Sequence, residues 1–217
     1  MMELVVSAEA LPRRSWWLAC GKPVFDRAGA LVLLVLLGPL MGVLWLLVRR
    51  DGSPGFFGHL RVGRHGRLFR CWKLRSMVPD AAERLARHLA QNPDAAWEWA
   101  RDCKLTHDPR ITRLGGFLRR TSLDGLPQLW NVLRGDMSLV GPRPATPAEY
   151  AGFGLSQPYY ARLRPGVTGL WQVSGRNDIG CRARVALDVG YYWRASPLLD
   201  LQILLATLGT ALRRTGK

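Results

Sequence analysis

The sequence predicts an α+β protein that is mostly helical, with a re-entrant membrane helix followed by a small cytosolic domain of short helices, a small sheet and interfacial amphipathic helices. Three observations carry this prediction. Residues 28–48 form an uncharged apolar run, turn-rich and Ala/Arg/Glu-rich segments alternate after it, and a second, shorter apolar stretch occupies residues 196–214. With 217 residues, 48% of them hydrophobic, the chain can bury one sizeable core and is not a disordered tail. The charge of +15, from 31 Lys and Arg against 16 Asp and Glu, points to phosphate-bearing partners: nucleic acid, an anionic membrane surface, or a nucleotide and phospholipid substrate. Composition does not choose among them, but a mean hydropathy of −0.03 beside so much charge means that the apolar residues are concentrated.

The run at 28–48 is long enough, at about 1.5 Å per residue, to cross a hydrocarbon core of roughly 30 Å. It exceeds a signal-peptide core and meets Arg49, Arg50 and Asp51 without a small-residue cleavage site, so it is read as retained. Positive charge flanks both ends, with Arg13, Arg14, Lys22 and Arg27 before it and Arg49, Arg50, Arg61, Arg64 and Arg67 after it. The positive-inside rule then puts both ends on the cytoplasmic side. Gly38-Pro39 near the middle predicts a kink, because proline removes a hydrogen bond and clashes with the preceding turn. The expectation is a bent helix pair dipping into one leaflet, with a straight span as the alternative and Trp45 as an interfacial anchor.

Further along, residues 51–67 alternate turn formers with short apolar stretches and predict a loop and hairpin. Residues 68–77 predict a strand carrying Lys73 and Arg75 on one face. Residues 79–100 read as one or two helices broken at Asn92-Pro93, and 112–133 as a helical pattern interrupted at Gly115-Gly116 and Pro127. Residues 196–214, with Asp200 and Gln202 and a terminal basic pair, fit a helix in the membrane interface; packing on the core is the alternative. The expected division is an N-terminal segment 1–21, a membrane helix 22–50, and a cytosolic domain 51–217 ending in that interfacial helix. Cys20, Cys71, Cys103 and Cys181 are widely spaced and read as ordinary small packing residues, with no zinc spacing. His59, His65, His88 and His107 are scattered, and none is given a catalytic role. No helix-turn-helix, OB-like or zinc pattern supports a nucleic-acid partner.

The densest polar stretch is 119–144, RRTSLDGLPQLWNVLRGDMSLVGPRP. Asp124 lies there after Arg119 and Arg120 and before Gln128, Asn131, Arg134 and Asp136. A carboxylate among arginines can be a nucleophile or metal ligand in phosphoryl chemistry, since cationic neighbours keep it ionised and bind substrate phosphates. Equally, Ser122-Leu123-Asp124 can start a helix, with the acid near the positive dipole end.

These residues carry a resemblance. KPVFD at 22–26, RVGRHGRLFRCWKLRSM at 61–77, DPRITRLGGFLRRTSLDGLPQLWNVLRGDMSLVGPRP at 108–144 and RLRPGVTGLWQVSGRND at 162–178 resemble the bacterial sugar transferases, the monotopic polyprenyl-phosphate phosphoglycosyl transferases. The likeness runs from about Lys22 to Leu212 and is to the short, minimal form. It implies transfer of sugar-1-phosphate from a UDP-sugar to undecaprenyl phosphate with release of UMP, by a two-step displacement at the cytoplasmic face of the bacterial inner membrane. Such a step begins exopolysaccharide, O-antigen or glycoprotein glycan assembly, with downstream glycosyltransferases as further partners. The resemblance puts Asp124 at the nucleophile's position, and it also implies Mg²⁺, for which Asp124 is the candidate ligand. Lys73, Arg75, Arg119 and Arg143 are assigned to phosphate binding, because transfer between anions needs cations at the equatorial and leaving oxygens. Gln128, Asn131, Asp136, Glu149, Arg164, Gly166 and Arg176 rank lower as pocket residues, with Pro165 and Gly175 beside them; for Arg143, in the family's Pro-Arg-Pro motif, packing is an equal alternative. One departure stands out: the family has Asp-Glu where this chain has Asp124-Gly125. Asp136 or Glu149 substitutes for the missing acid, or Asp124 works slowly alone, or the protein is a non-catalytic binder.

Overall fold

The computed structural model describes residues 16–102, 105–174 and 180–212. A π-helical turn, Trp17–Gly21, leads into α1 (Lys22–Val48), and a hairpin of β1 (Phe56–Val62) and β2 (Leu68–Leu74) follows. Then come α2 (Ala81–Gln91), α3 (Pro93–Asp102), α4 (Arg113–Thr121), α5 (Gln128–Arg134), β3 (Ser138–Val140), α6 (Pro147–Ala151), α7 (Gln157–Arg162), β4 (Gly166–Thr168), α8 (Leu170–Val173), α9 (Cys181–Arg194) and α10 (Pro197–Leu212). The α+β, mostly helical expectation holds, but the single small sheet is two two-stranded sheets, β1-β2 antiparallel and β3-β4 parallel.

Helix α1 runs through Pro39 as one helical element, where two helices meeting at a break were expected. Both of its ends return to the same domain. Near the start, Lys22, Asp26 and Ala30 are buried, and Leu33 and Leu34 pack on the core formed by Leu129, Val132, Met137 and Leu139. Near the end, Leu44 and Val48 pack with Leu74 and Leu118. The opposite face, with Leu31, Val32, Val35, Leu36, Leu40, Val43 and Leu46, is exposed and wholly apolar. Apolar residues surround this helix because one side meets a protein core and the other meets no part of the described protein. Anchoring at both ends is what a re-entrant element requires of its domain, and it does not suit a span that leaves the domain at one end. Trp45, expected as an interfacial anchor, is partly buried at the joint with the hairpin, stacked on Phe56 and lying 4.7 Å from the Arg49 guanidinium.

The C-terminal stretch packs on the core, the alternative reading, and leaves an apolar stripe uncovered by the described residues. One face of α10 buries Asp200 and Ile203, while Leu198, Leu201, Leu205 and Leu208 form an exposed stripe at helical spacing. Asp200, read in the sequence as a mark of an interfacial helix, is instead the most buried acid of the core. It accepts hydrogen bonds from Lys22 Nζ at 2.7 Å, Tyr191 OH at 2.6 Å and Trp17 Nε1 at 3.0 Å, which ties α10 to the start of α1. Cys71 is buried as expected, Cys20 is exposed, and Cys103 lies outside the described residues, as does the side chain of Cys181.

Candidate active site

The hairpin supplies one wall. Its turn, Arg64–Gly66, uses left-handed backbone at His65 and Gly66, and the register pairs Phe57 with Lys73, His59 with Cys71 and Arg61 with Phe69. Alternation along the strands therefore puts Lys73, His59 and Arg61 on one face. The free edge of β2 is closed by a side chain: Asn131 of α5 accepts from Trp72 N at 3.0 Å and donates to Arg70 O at 2.8 Å, as a strand partner would. Asn131 is 1% exposed, so it acts as a bracket that fixes β2 against α5, not as a pocket wall.

Helix α4 supplies the second wall. It begins at Thr112, whose hydroxyl accepts from Gly115 N at 2.8 Å, and it runs through Gly115-Gly116 without the expected interruption. Gly115 is there for close approach: a Cβ at this position would collide with the Ser76 backbone carbonyl. One turn later Arg119 Nε donates to Ser76 Oγ at 2.9 Å. Burial, opposed by the nearby Asp124 charge, lowers the Arg119 pKa, though a guanidinium stays charged. The break comes at Ser122, which ends α4 in left-handed backbone (φ 59°) and precedes a 3₁₀ turn, without a side-chain cap bond. Asp124 then sits in a single 3₁₀ turn, Leu123–Gly125, before Pro127 begins α5.

Lys73 Nζ donates to Asp124 Oδ2 at 2.9 Å, so strand, turn and α4 bring Asp124, Lys73 and Arg119 together beside Leu44 and Val48 of the membrane helix. Arg75 goes elsewhere. Its guanidinium grips both Asp51 oxygens, at 2.8 and 2.6 Å, and donates to the carbonyls of Pro54 and Val48. This clamps the end of α1 to the hairpin, and the bridge brings the Asp51 carboxyl down to about 2.

Arg143 belongs to a second cluster. Its Nη1 donates to Glu149 Oε1 at 2.7 Å, and Glu149 Oε2 receives Arg61 Nη1 at 3.3 Å. Burial alone would raise Glu149, but the Thr146 N–H of its capping box and Arg143 outweigh it and hold the carboxyl at about 2. Asp188, which the sequence did not bring forward, lies buried beside Arg143 with its Oδ1 unbonded, and burial pushes it up to about 7. His59 connects the two clusters: burial, then the charges of Arg61 and Lys73, lower its pKa. The hairpin face is thus a basic strip between Asp124 and the Arg143–Glu149 pair.

The other candidates scatter. Gln128 is buried next to Gly125, where a Cβ would find only Gln128 Nε2 and Cδ, at 3.5 and 3.8 Å. Asp136 bonds with Asn131 and Arg134, and Glu149 with Arg61 and Arg143. Gly166 allows β4 to approach Gly141, which a Cβ would block, and Arg164 lies near Arg27 and Arg64. Arg176 and Gly175 lie outside the described residues. Ser76 escaped the sequence reading, since a lone serine carries no local signal of a contact with Arg119. Among the described residues no three His, Cys, Asp or Glu side chains gather to hold a metal. Magnesium commonly needs only one or two carboxylates with substrate phosphates and water, and Asp124 meets that minimum.

The chain is similar to known proteins over most of its length. Residues 17–214 match the family described as bacterial sugar transferase. The chain is 51% identical over 195 residues to a UDP-galactose-lipid carrier transferase of Erwinia amylovora, covering 90% of this chain and 41% of the relative. It is 50% identical to the undecaprenyl-phosphate galactose phosphotransferase of Salmonella typhimurium, with the same coverage. It is 45% identical to the exopolysaccharide production protein ExoY of Rhizobium meliloti, over 86% of this chain and 83% of that protein. The chain therefore spans about two fifths of the first two relatives and most of the third.

Proposed function

The chain belongs to the bacterial sugar transferase family, and from that premise we propose that it transfers sugar-1-phosphate from a UDP-sugar to undecaprenyl phosphate, releasing UMP, through a phosphosugar intermediate on Asp124. The contact of Asp124 with Lys73, beside Arg119 and the end of the apolar helix, is the observation that carries this reading. Lys73 holds Oδ2 and leaves Oδ1 to attack the sugar-bearing phosphorus. The bond from that phosphorus to the bridging oxygen breaks, and UMP leaves with the electron pair. An oxygen of undecaprenyl phosphate then attacks the same phosphorus and frees the Asp124 carboxylate. Splitting the transfer suits one soluble and one lipid-embedded substrate, which need not be held together. Lys73 and Arg119 stand where charge develops on the transferring group, and the strip through Arg61 to Arg143 can bear the rest of the diphosphate. Mg²⁺, held by Asp124 together with the substrate diphosphate, would neutralise charge on the departing UMP.

The exposed apolar faces of α1 and α10 support membrane association, which we assign to the cytoplasmic face of the bacterial inner membrane, where both substrates meet. The test is UMP release by the full chain in detergent with Mg²⁺, undecaprenyl phosphate and a panel of UDP-sugars. Activity that Asp124→Asn abolishes, with a phosphosugar adduct on the wild-type chain in intact mass, supports the proposal. No UMP from any sugar overturns it. Gly125 favours a second reading, a membrane-bound scaffold that binds nucleotide-sugar or partner glycosyltransferases; it predicts nucleotide-sugar binding without UMP release.

A further inference from the structure

The hairpin face that carries Lys73 also carries His59 and Arg61, and the imidazole of His59 is held from two sides. Arg61 Nη2 meets His59 Nδ1 at 2.9 Å, and the Phe57 ring lies 6.0 Å from the His59 ring, centroid to centroid. A guanidinium has donors and no acceptor, so this contact requires a lone pair on Nδ1. The ring is therefore neutral, with its hydrogen on Nε2. Partial burial, then the charges of Arg61 and Lys73, lower its pKa in the same sense. His59 is exposed, and its Nε2 has no hydrogen-bond partner among the described residues.

The neighbours of His59 on this face are already engaged. Lys73, diagonal to His59 across the two strands, holds Asp124 Oδ2 at 2.9 Å. Arg61 directs Nη1 to Pro144 O at 3.2 Å and to Glu149 Oε2 at 3.3 Å, besides Nη2 to His59. Glu149 Oε1 takes Arg143 Nη1 at 2.7 Å. His59 Nε2–H is thus an open donor between the lysine that holds Asp124 and the arginines that share Glu149. A neutral donor suits this place. A further cation beside Lys73 and Arg61 would be repelled, whereas phosphate oxygens accept from neutral and charged donors alike. With the sugar-bearing phosphorus at Asp124, the oxygens farther along the face toward Arg61 belong to the nucleotide's phosphate. We infer that His59, left without a role by its scattered place in the sequence, binds substrate: its Nε2–H donates a hydrogen bond to the donor's diphosphate, on the phosphate that departs with the nucleotide. The proton stays on Nε2 throughout. Arg61 is then a positioning residue, which sets the tautomer of His59 and acts through it. The inference rests on the proposed transfer for the identity of its ligand, a nucleoside diphosphate.

The test is calorimetric titration of the full chain in detergent with UDP and Mg²⁺, for wild type and two variants that divide the functions of the imidazole between them. His59→Asn keeps an acceptor near the Nδ1 place for Arg61 and loses the distal donor. His59→Gln reaches the Nε2 place with an N–H and gives up the Arg61 contact. UDP affinity is expected to fall about tenfold in His59→Asn, the loss of one hydrogen bond to a charged group, and to stay near wild type in His59→Gln. Since His59 is exposed, both variants should melt with wild type. The reverse order, with Asn near wild type and Gln weakened, makes His59 only a support for Arg61 and overturns the inference. Equal affinities in all three proteins, equal losses in both variants, or no UDP binding by the wild-type chain overturn it too. The expected pattern in a chain that releases no UMP from any UDP-sugar would remove the transfer and leave His59 as a diphosphate-binding residue.

Discussion

Lys73 Nζ and Asp124 Oδ2 are 2.9 Å apart although 51 residues separate them in sequence, and Asn131 is the reason they meet. By completing the hydrogen bonds of the β2 edge at Arg70 and Trp72, Asn131 fixes the strand that carries Lys73 against the helix that follows the Asp124 turn. A lysine bound to one carboxylate oxygen aims the other. Lys73→Gln is expected to keep the fold and lower the rate of UMP release by about 10²–10³-fold, the range for losing one group that stabilises developing charge. Steady-state kinetics beside a melting curve separate the two effects.

Asn131→Leu removes both β2 anchors and leaves a part-buried N–H and C=O without their protein partner. The expected loss is about 2–4 kcal/mol of stability, measured by urea denaturation, with activity falling because Lys73 loses its position.

Gly125→Glu meets no steric barrier, since its Cβ would touch only Gln128 at ordinary contact distance and its backbone is not left-handed. Asp136 and Glu149 are bound elsewhere. The variant is therefore expected to melt close to wild type and to release UMP about 10²-fold faster, the lower end of what one added acid–base group contributes. An unchanged rate would mean that Asp124 needs no second carboxylate.

Lys22→Met strips the buried Asp200 of its cation. Breaking one side of a buried pair costs about 3–5 kcal/mol, so a large drop in melting temperature is expected. Lys22→Met/Asp200→Asn should recover part of it, because the uncompensated charge is gone.

Asp188 gives a pH signature. Its folded pKa of about 7 lies above the unfolded value of 3.8, so the native state binds the extra proton between them and stability falls as pH rises from about 4 to about 7. Glu149, held at about 2 against an unfolded 4.5, has the opposite sign: stability gained as pH rises from about 2 to about 4.5. Asp188→Asn should flatten the upper limb and be favoured over wild type more at pH 8 than at pH 5, as read from chemical denaturation at the two pH values.

The sequence by itself determined the elements whose signals are local. Apolar length marked α1, Asn92-Pro93 separated α2 from α3, turn formers marked the hairpin, and the motif order gave the family and singled out Asp124. Tertiary structure decided which polar residues face one another. Lys73 and Arg75 look equivalent at spacing two, yet one reaches Asp124 and the other Asp51, because the strand ends between them and α1 ends beside Arg75. Gly115, read as a helix breaker, is a close contact with Ser76, and Asp200, read as a mark of an interfacial helix, is a buried anchor. Hydrophobic period and turn chemistry act within a few residues. The partner of a charge or the need for a missing Cβ is set by chain segments up to 183 residues away, and only packing brings those together.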